Sequence, residues 1–485
     1  MSVGTEDDSQ RGPLVLAYSR TELTLEQLWT RYFALGGDVG LVELEAYLEG
    51  LLALPDNQRD LVAVAVNERL DELVGPRVPY SRTVSEGKPD HGPLAALVDI
   101  LEGARLVPPE RLPVVAAAAG QALGVGVVVY LIDYDQRRLV PLSAPNLAGR
   151  ESLEVDTTLA GRAFRMVEML WGQAEAEADA RLWVPLVDGE ERLGVLEITL
   201  GHNADPRDSG LWHQCRWIGL LLGHLVTAAN QYGDALDKVR LRQPRTIAAE
   251  LVWMLLPPLT AGADNFLLAG MLEPSSEVGG DAFDYGLSEE TATLAIFDAV
   301  GHTLSAGLMT AATLAAYRNA RSGGHDLLEQ AAAIDRTIGD HFGDDTFVTG
   351  VIAELELATG RLRYVVAGHP QPVVLRSGKV VKRLSGGHRA PFGVMTGGDV
   401  AQEILQPGDW LVLHTDGITE ARDSTGRFFG DARLMDFLER EAASGHPPPE
   451  TVRRLTQAVL DHQDGVLQDD ATVLLARWGD DDLRF

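Results

Sequence analysis

Cysteine is nearly missing from this 485-residue chain, with Cys215 the only one. That excludes an internal disulfide and any cysteine-rich zinc or iron–sulfur centre. Basic residues are scarce beside acidic ones, 41 Lys and Arg against 71 Asp and Glu, leaving a formal charge of -30. Such a balance argues against nucleic acid or an anionic membrane as a direct partner, because both are themselves anionic, and favours a partner with a basic patch. No uninterrupted apolar run reaches the roughly 20 residues of a membrane span. The opening stretch Met1-Ser2-Val3-Gly4-Thr5-Glu6-Asp7-Asp8 lacks the basic and apolar regions of a signal peptide. These absences predict a cytoplasmic protein, and the length suits three or so domains that each bury a core.

Acidic residues in short, marked contexts are what the chain does have. Five aspartates stand in Val278-Gly279-Gly280-Asp281, Phe297-Asp298-Ala299-Val300-Gly301-His302, Thr415-Asp416-Gly417 and Gln468-Asp469-Asp470-Ala471-Thr472. Residues 291–297, 410–415 and 472–476 are apolar, β-prone runs, and a helical pattern spans 304–318. The carboxylates therefore recur at strand ends, where a rigid sheet can gather them. Clustered carboxylates repel and resist desolvation, so several at one sheet edge require a cation. Hard oxygen donors without cysteine or a clear histidine set favour Mg²⁺ or Mn²⁺ over Zn²⁺. A single Asp-Gly pair is commonly just a turn. Four such contexts, in this order at strand ends, exceed turn chemistry.

The stretch 247–477 resembles the metal-dependent protein phosphatase (PPM) family in its bacterial SpoIIE/RsbU-like branch. The matching segments are Leu255-Leu256-Pro257-Pro258, Gly279-Gly280-Asp281-Ala282-Phe283-Asp284, Asp298-Ala299-Val300-Gly301-His302, Thr346-Phe347-Val348-Thr349, Ala367-Gly368-His369-Pro370, Pro407-Gly408-Asp409, Thr415-Asp416-Gly417-Ile418-Thr419-Glu420-Ala421 and Asp469-Asp470-Ala471-Thr472-Val473. The resemblance implies an α+β four-layer αββα sandwich and a protein serine/threonine phosphatase with two Mn²⁺ or Mg²⁺ ions. Asp298 would bridge both ions, the Ala299 carbonyl and Asp281 would serve one, and Asp416 and Asp469 the other. Asp469 is preferred to Asp470 because the family's ligand is the first of this pair, and Asp284 would be a nearby acidic residue. A metal-activated water, with no protein nucleophile, would attack the phosphoester.

This chain also departs from the family. Where many members read Asp-Val-Ser-Gly-His-Gly, it has Asp298-Ala-Val-Gly-His-Thr303. Eukaryotic relatives place a histidine acid at the position of Val300, so His302 is not given that role, and His302 and His369 read as turn residues. No arginine matches a phosphate-binding position. The resemblance further implies a phosphorylated STAS-type anti-sigma factor antagonist as substrate. Two other functions are a catalytically weak, phosphatase-like scaffold and a diguanylate cyclase, whose hairpin signature Gly279-Gly280-Asp281 suggests. The cyclase pattern wants an acid at Ala282 and gives no account of Asp416 or Asp469.

Upstream, apolar residues at helical spacing between Thr24 and Val74 form three stripes, predicting a helical domain with its linker over 1–90. The stretch 79–89 reads as that linker. Residues 91–210 mix helix and strand, with strands at 127–132 and 192–200 and a third at 183–188 before a Gly189 turn. With Thr158-Leu159-Ala160-Gly161, this part resembles a GAF sensory domain, in which Trp171 and Trp183 would be core or dimer contacts. Leu211, Cys215, Ile218, Leu222, Leu225, Ala229, Tyr232, Leu236 and Val239 follow alternating four- and three-residue steps. That seam predicts a coiled-coil linker over 211–246 joining a homodimer, or else a helix packed on its own domain. The catalytic domain would occupy 247–480.

Overall fold

The computed structural model describes residues 8–73, 91–105, 108–142, 150–172, 181–200, 208–273, 279–301, 303–343, 345–394, 397–465 and 467–479. The linker expected at 79–89, Val278 and His302 lie outside the described residues. Residues 1–88 form one compact unit and residues 89–485 another.

In the first unit the helices Leu25–Ala34, Leu41–Leu48 and Asp56–Glu72 match the three stripes. Thr24 starts the first of them with a capping box, its hydroxyl accepting the Gln27 amide while the Gln27 side chain accepts the Thr24 amide. A further helix, Asp8–Tyr18, precedes these three and carries Pro13 inside it. Leu14, Leu28, Tyr32, Leu44, Val62 and Val66 close the core.

The second unit begins with a six-stranded antiparallel sheet. Its order is Leu153–Glu154, Arg138–Pro141, Val125–Ile132, Glu191–Leu200, Arg181–Asp188 and Leu170–Gly172. Alternation along Val125–Ile132 sends Val127, Val129 and Leu131 to one face and Val128, Tyr130 and Ile132 to the other. The helices Pro93–Ala104, Leu112–Ala122 and Ser209–Ala229 cover the first face, and Leu159–Met166 covers the second. Trp183 lies in the second core, edge-on to Tyr130.

The coiled-coil reading needs correction here. Cys215, Ile218, Leu222 and Ala229 pack on their own sheet against Leu182, Val184 and Leu196. Gly219 and Gly223 bring the helix so close that an added Cβ would meet the carbonyls of Pro185 at 2.8 Å and Val187 at 2.0 Å. The helix ends at Ala229, Tyr232 is 64% exposed, and the rest of 211–246 holds just the short helix Ala235–Arg240. A 4-3 repeat marks one apolar stripe, and a sheet can bury that stripe as well as a second helix can.

The C-terminal part is a four-layer sandwich. One sheet runs His388–Arg389, Arg361–Ala367, Val348–Glu356, Thr291–Ala299 and Asp281–Leu287, with Ala401–Ile404 also paired to Arg361–Ala367. The other runs Lys379–Arg383, Val373–Arg376, Trp410–His414, Ala471–Trp478, Phe266–Glu273 and Thr260–Ala263. Along Thr291–Ala299, Leu294 and Ile296 face the opposite sheet, while Ala295 and Phe297 face the helices Leu304–Ser322 and Leu327–His341. The helices Gly430–Ser444 and Pro448–His462 cover the second sheet over Met271, Val412 and Val473. Gly279-Gly280 stands between Phe266–Glu273 and Asp281–Leu287, strands of different sheets, so it is not the tip of a cyclase-type hairpin. Among the described residues, no helix is long and apolar enough to cross a membrane.

The α/β part and the sandwich touch through a buried ionic cluster. Glu450, fully buried, accepts from Arg453 Nε at 2.9 Å and lies 3.8 Å from Arg192 and 3.6 Å from Arg165. Arg453 also reaches Asp156, and Arg192 donates to the Pro449 carbonyl at 3.0 Å. Burial pulls the Arg192 guanidinium down to about 10, against the pull of Glu450. Nearby, Glu191 accepts the Thr260 amide at 2.6 Å.

Replacing Leu222 with Ala should lower unfolding free energy by about 2–5 kcal/mol in urea titration, because it opens a cavity inside one chain. A helix partnered only in a dimer would make that loss depend on protein concentration. Glu450→Ala, which takes the buried carboxylate from Arg192 and leaves Arg453 only the exposed Asp156 as a charged partner, should cost about 3–5 kcal/mol by the same titration.

Candidate active site

Strand register brings the first two carboxylates together. Asp281 and Asp298 stand directly opposite each other on neighbouring antiparallel strands. They share the sandwich-facing side of the sheet with Phe283 and Ile296. From the opposite sheet, Trp410–His414 delivers Thr415, whose hydroxyl donates to Asp281 Oδ2 at 2.7 Å and accepts the Thr472 amide at 3.0 Å. Asp416 follows at the start of the short helix Asp416–Thr419, and Asp469 and Asp470 precede the adjacent strand Ala471–Trp478. Asp281 is buried, Asp298 half-buried, and Asp416 and Asp469 exposed. The group thus forms a slope from the sandwich floor to its rim.

Two glycines make this approach possible. A Cβ on Gly280 would sit 2.3 Å from the Ala299 carbonyl oxygen, and one on Gly417 would sit 1.9 Å from the Asp470 carbonyl oxygen. Gly280 is held in turn by Thr310, whose hydroxyl donates to its carbonyl at 2.6 Å.

The second aspartate of the Asp469-Asp470 pair has a different task from the first. Asp470 Oδ2 accepts the amides of Gly279 at 2.6 Å and Gly280 at 2.8 Å, tying the two sheets together. Asp469 accepts the Asp470 amide at 3.0 Å and is itself exposed. Asp284 does not join the group. Alternation turns it toward the helix Leu304–Ser322, where Arg318 and Arg321 pair with its two oxygens at 2.7 and 2.9 Å.

The electrostatics are those of unneutralised acids. Burial, then the charges of Asp298 and Asp470, hold the Asp281 carboxyl well above its usual range. Burial, then Asp416, Asp469 and Asp470, push Asp298 up to about 7. Asp416 is raised by burial and then by Glu420 and Asp469. Among the described residues, no lysine or arginine forms an ion pair with Asp281, Asp298, Asp416 or Asp469. Nor, among them, do three His, Cys, Asp or Glu side chains converge into a cage that could hold a metal ion. The donor set is hard oxygen, and Mg²⁺ characteristically takes one or two carboxylates and keeps several waters. The residues present fit such an ion in chemistry, with the Ala299 carbonyl as an additional oxygen.

Behind Asp298 lies a polar chain of Thr349 and His369, the second of which reads from the sequence as a turn residue. Thr349 stands opposite Asp298 in register, its hydroxyl holding the carboxyl down against the upward push of burial. The same hydroxyl is 2.8 Å from His369 Nδ1. Burial, and then His414, hold the His369 imidazole down at about 3, so this histidine is neutral and internal. Thr349 and Thr415 stand within motifs of the sequence, but polar alternation alone does not reveal which hydroxyl faces a carboxylate. Val300, at the position of the eukaryotic histidine, is 43% exposed and brings no proton donor.

Asp470→Ala should lower unfolding free energy by about 1–3 kcal/mol, since it leaves the Gly279 and Gly280 amides without their charged acceptor. Asp469→Ala, at an exposed position, should stay within about 0.5 kcal/mol of the parent. Parallel denaturant titrations read both.

Residues 288–479 match the family model described as Stage II sporulation protein E (SpoIIE). The chain is 25% identical over 278 residues to Protein IcfG of Synechocystis sp., covering 51% of this chain and 43% of that protein. It is 24% identical over 240 residues to Phosphoserine phosphatase RsbU of Bacillus subtilis, covering 48% of this chain and 69% of the relative. The match therefore spans less than half of the first of these relatives. Among solved structures, the RsbU and RsbW domains of Rv1364c from Mycobacterium tuberculosis align at 26% identity and a TM-score of 0.40, over 44% of this chain and 62% of that one. With its two facing sheets and its aspartates at their shared edge, the C-terminal part of this chain is a SpoIIE-family domain of the PPM type.

Proposed function

We propose that this chain is a Mg²⁺- or Mn²⁺-dependent protein serine/threonine phosphatase that hydrolyses phosphoserine or phosphothreonine. The observation that carries this reading is the gathering of Asp281, Asp298, Asp416 and Asp469 from four separate segments onto one sandwich edge, without a protein cation beside them among the described residues. One relative, RsbU of Bacillus subtilis, is named a phosphoserine phosphatase, which points the same way.

Two ions bound here would supply Lewis-acid neutralisation of the phosphoryl oxygens and acidify a water. Asp298 would serve both ions, Asp281 and the Ala299 carbonyl one of them, and Asp416 and Asp469 the other. Thr415 holds the Asp281 carboxylate in one orientation, and the bare Gly280 leaves the Ala299 carbonyl room. Asp470 braces the loop, and Asp284 braces the helix layer. Asp416 and Asp469 stand exposed at the rim, which suits a phosphoester carried on a protein surface.

The substrate we assign is a phosphorylated STAS-type anti-sigma factor antagonist, met in the cytoplasm. Control would come from the upstream, GAF-like α/β part by direct packing on the sandwich, where Glu450 and Arg192 meet.

Full-length protein should hydrolyse p-nitrophenyl phosphate with Mn²⁺, and a chelator should abolish this. Asp298→Ala and Asp416→Ala should each lose more than the roughly 10–100-fold typical of partners that merely surround a metal site. Asp284→Asn should retain hydrolysis while melting at lower temperature. Absence of hydrolysis in the parent protein, with Mn²⁺ and a phosphorylated STAS partner, would make the domain a scaffold.

A further inference from the structure

The polar chain behind Asp298 ends on a buried imidazole. Asp298 and Thr349 stand opposite each other in register on neighbouring antiparallel strands, so their side chains share one face of the sheet, with Cβ atoms about 4.5–5.5 Å apart. Ile296 and Val351 mark that face as the one looking into the sandwich. His369 follows the strand Arg361–Ala367, and alternation alone would send it to the helix side with Val365 and Ala367. Gly368 breaks the alternation. Its φ of +62° is a left-handed turn that suits glycine, and the His369 ring comes to lie against Thr349, with Nδ1 2.8 Å from the hydroxyl oxygen.

A threonine hydroxyl has one proton to give. If neutral His369 carries its proton on Nε2, the bare Nδ1 takes the Thr349 proton and Asp298 receives none. If the proton is on Nδ1, the ring donates to Thr349 Oγ1 and the hydroxyl proton is left for Asp298. Two observations select the second arrangement. The Thr349 hydroxyl favours the charged form of Asp298, which it does only as a donor. Nε2 of His369 is buried without a hydrogen-bond partner, and the His414 carbonyl, the weakest influence on the ring, makes no hydrogen bond with it. An orphaned N–H is rarer in protein interiors than an acceptor left short of a partner. Asp281 shows the same polarity: the Thr472 amide donates to Thr415 Oγ1 at 3.0 Å, and the Thr415 hydroxyl donates to Asp281 at 2.7 Å. In both relays an N–H turns a threonine proton toward a carboxylate.

We propose that His369 is a positioning residue of the carboxylate site: as the Nδ1–H tautomer it donates to Thr349, which donates to Asp298 and fixes that carboxylate for divalent ions. This role rests on the metal-dependent reading of Asp298. The tautomer of a ring is set by the hydrogen bonds its nitrogens make, and partners of metal-binding carboxylates tune affinity through such bonds.

Nitrogen NMR of full-length, metal-free protein with isotope-labelled histidine reads the tautomer. The resonances that His369→Asn removes, or that Thr349→Val shifts, should show a protonated Nδ1 and a bare Nε2; a proton on Nε2 overturns the relay. Calorimetric titration with Mn²⁺ reads the consequence. Thr349→Val and His369→Gln should each weaken Mn²⁺ binding roughly 10–100-fold. Thr349→Ser keeps the hydroxyl, and His369→Asn keeps an N–H as many bonds from Cβ as Nδ1, so each should bind more tightly than its counterpart. In the Thr349→Val background, His369→Gln should cost nothing further, whereas a merely structural histidine would add its full effect. Melting curves show which variants remain folded, and the two Thr349 variants decide if those of His369 do not. Mn²⁺ affinity unmoved by Thr349→Val, or additive losses in the double variant, overturns the role. Absence of Mn²⁺ binding in the parent protein counts against the phosphatase reading instead, and the tautomer then decides the relay alone.

Discussion

The C-terminal domain depends on one polar stitch across the edge of its sandwich. Thr415 from one sheet donates to Asp281 on the other, and Asp470 reaches back to the amides of Gly279 and Gly280. Apolar packing between the sheets would by itself let that edge slide, since it is non-directional. The hydrogen bonds set the register between the sheets at the one place where carboxylates have to meet. They also partly offset the cost of burying Asp281 and Asp470, whose charged forms the interior and their neighbours disfavour.

Close approach follows from that stitch. Gly417 lies against the Asp470 carbonyl and Gly280 against the Ala299 carbonyl, distances at which no side chain fits. The helix Leu304–Ser322 then locks the rear of the site twice, through Thr310 on Gly280 and through Arg318 and Arg321 on Asp284. Three aspartates of similar sequence context therefore do three different things. Asp298 lies in the group, Asp470 ties sheets, and Asp284 ties a helix to a sheet.

The same close packing joins the α/β part to the sandwich. Arg192, Glu450 and Arg453 are all buried, so their mutual attraction mainly offsets the desolvation of each. Such a cluster is sensitive to geometry and defines how the two parts seat on each other. The helix Pro448–His462 carries Glu450 and Arg453 and runs toward the Asp469-Asp470 loop, placing the contact and the carboxylates on one stretch of chain.

Much of the sandwich was legible in the residues. Apolar runs at 291–297, 410–415 and 472–476 are strands because a sheet covered on both faces buries nearly every residue along them, and the aspartates at their ends fall where a sheet edge gathers them. Strand positions alone could not tell Asp469 from Asp470, or exclude Asp284, since side-chain direction and partner depend on the fold around them. The 4-3 seam from Leu211 to Val239 shows the same limit. Its spacing determined that one helix face would be buried, but only tertiary structure decided what buried it, the chain's own sheet, because Gly219 and Gly223 let the backbone come that near. Nor did spacing foresee the corner where Arg245 lies between Tyr134 and Trp253, residues far apart in sequence that only the packed chain brings into contact. Local patterns record burial and chain direction, whereas pairing between distant segments depends on the whole fold.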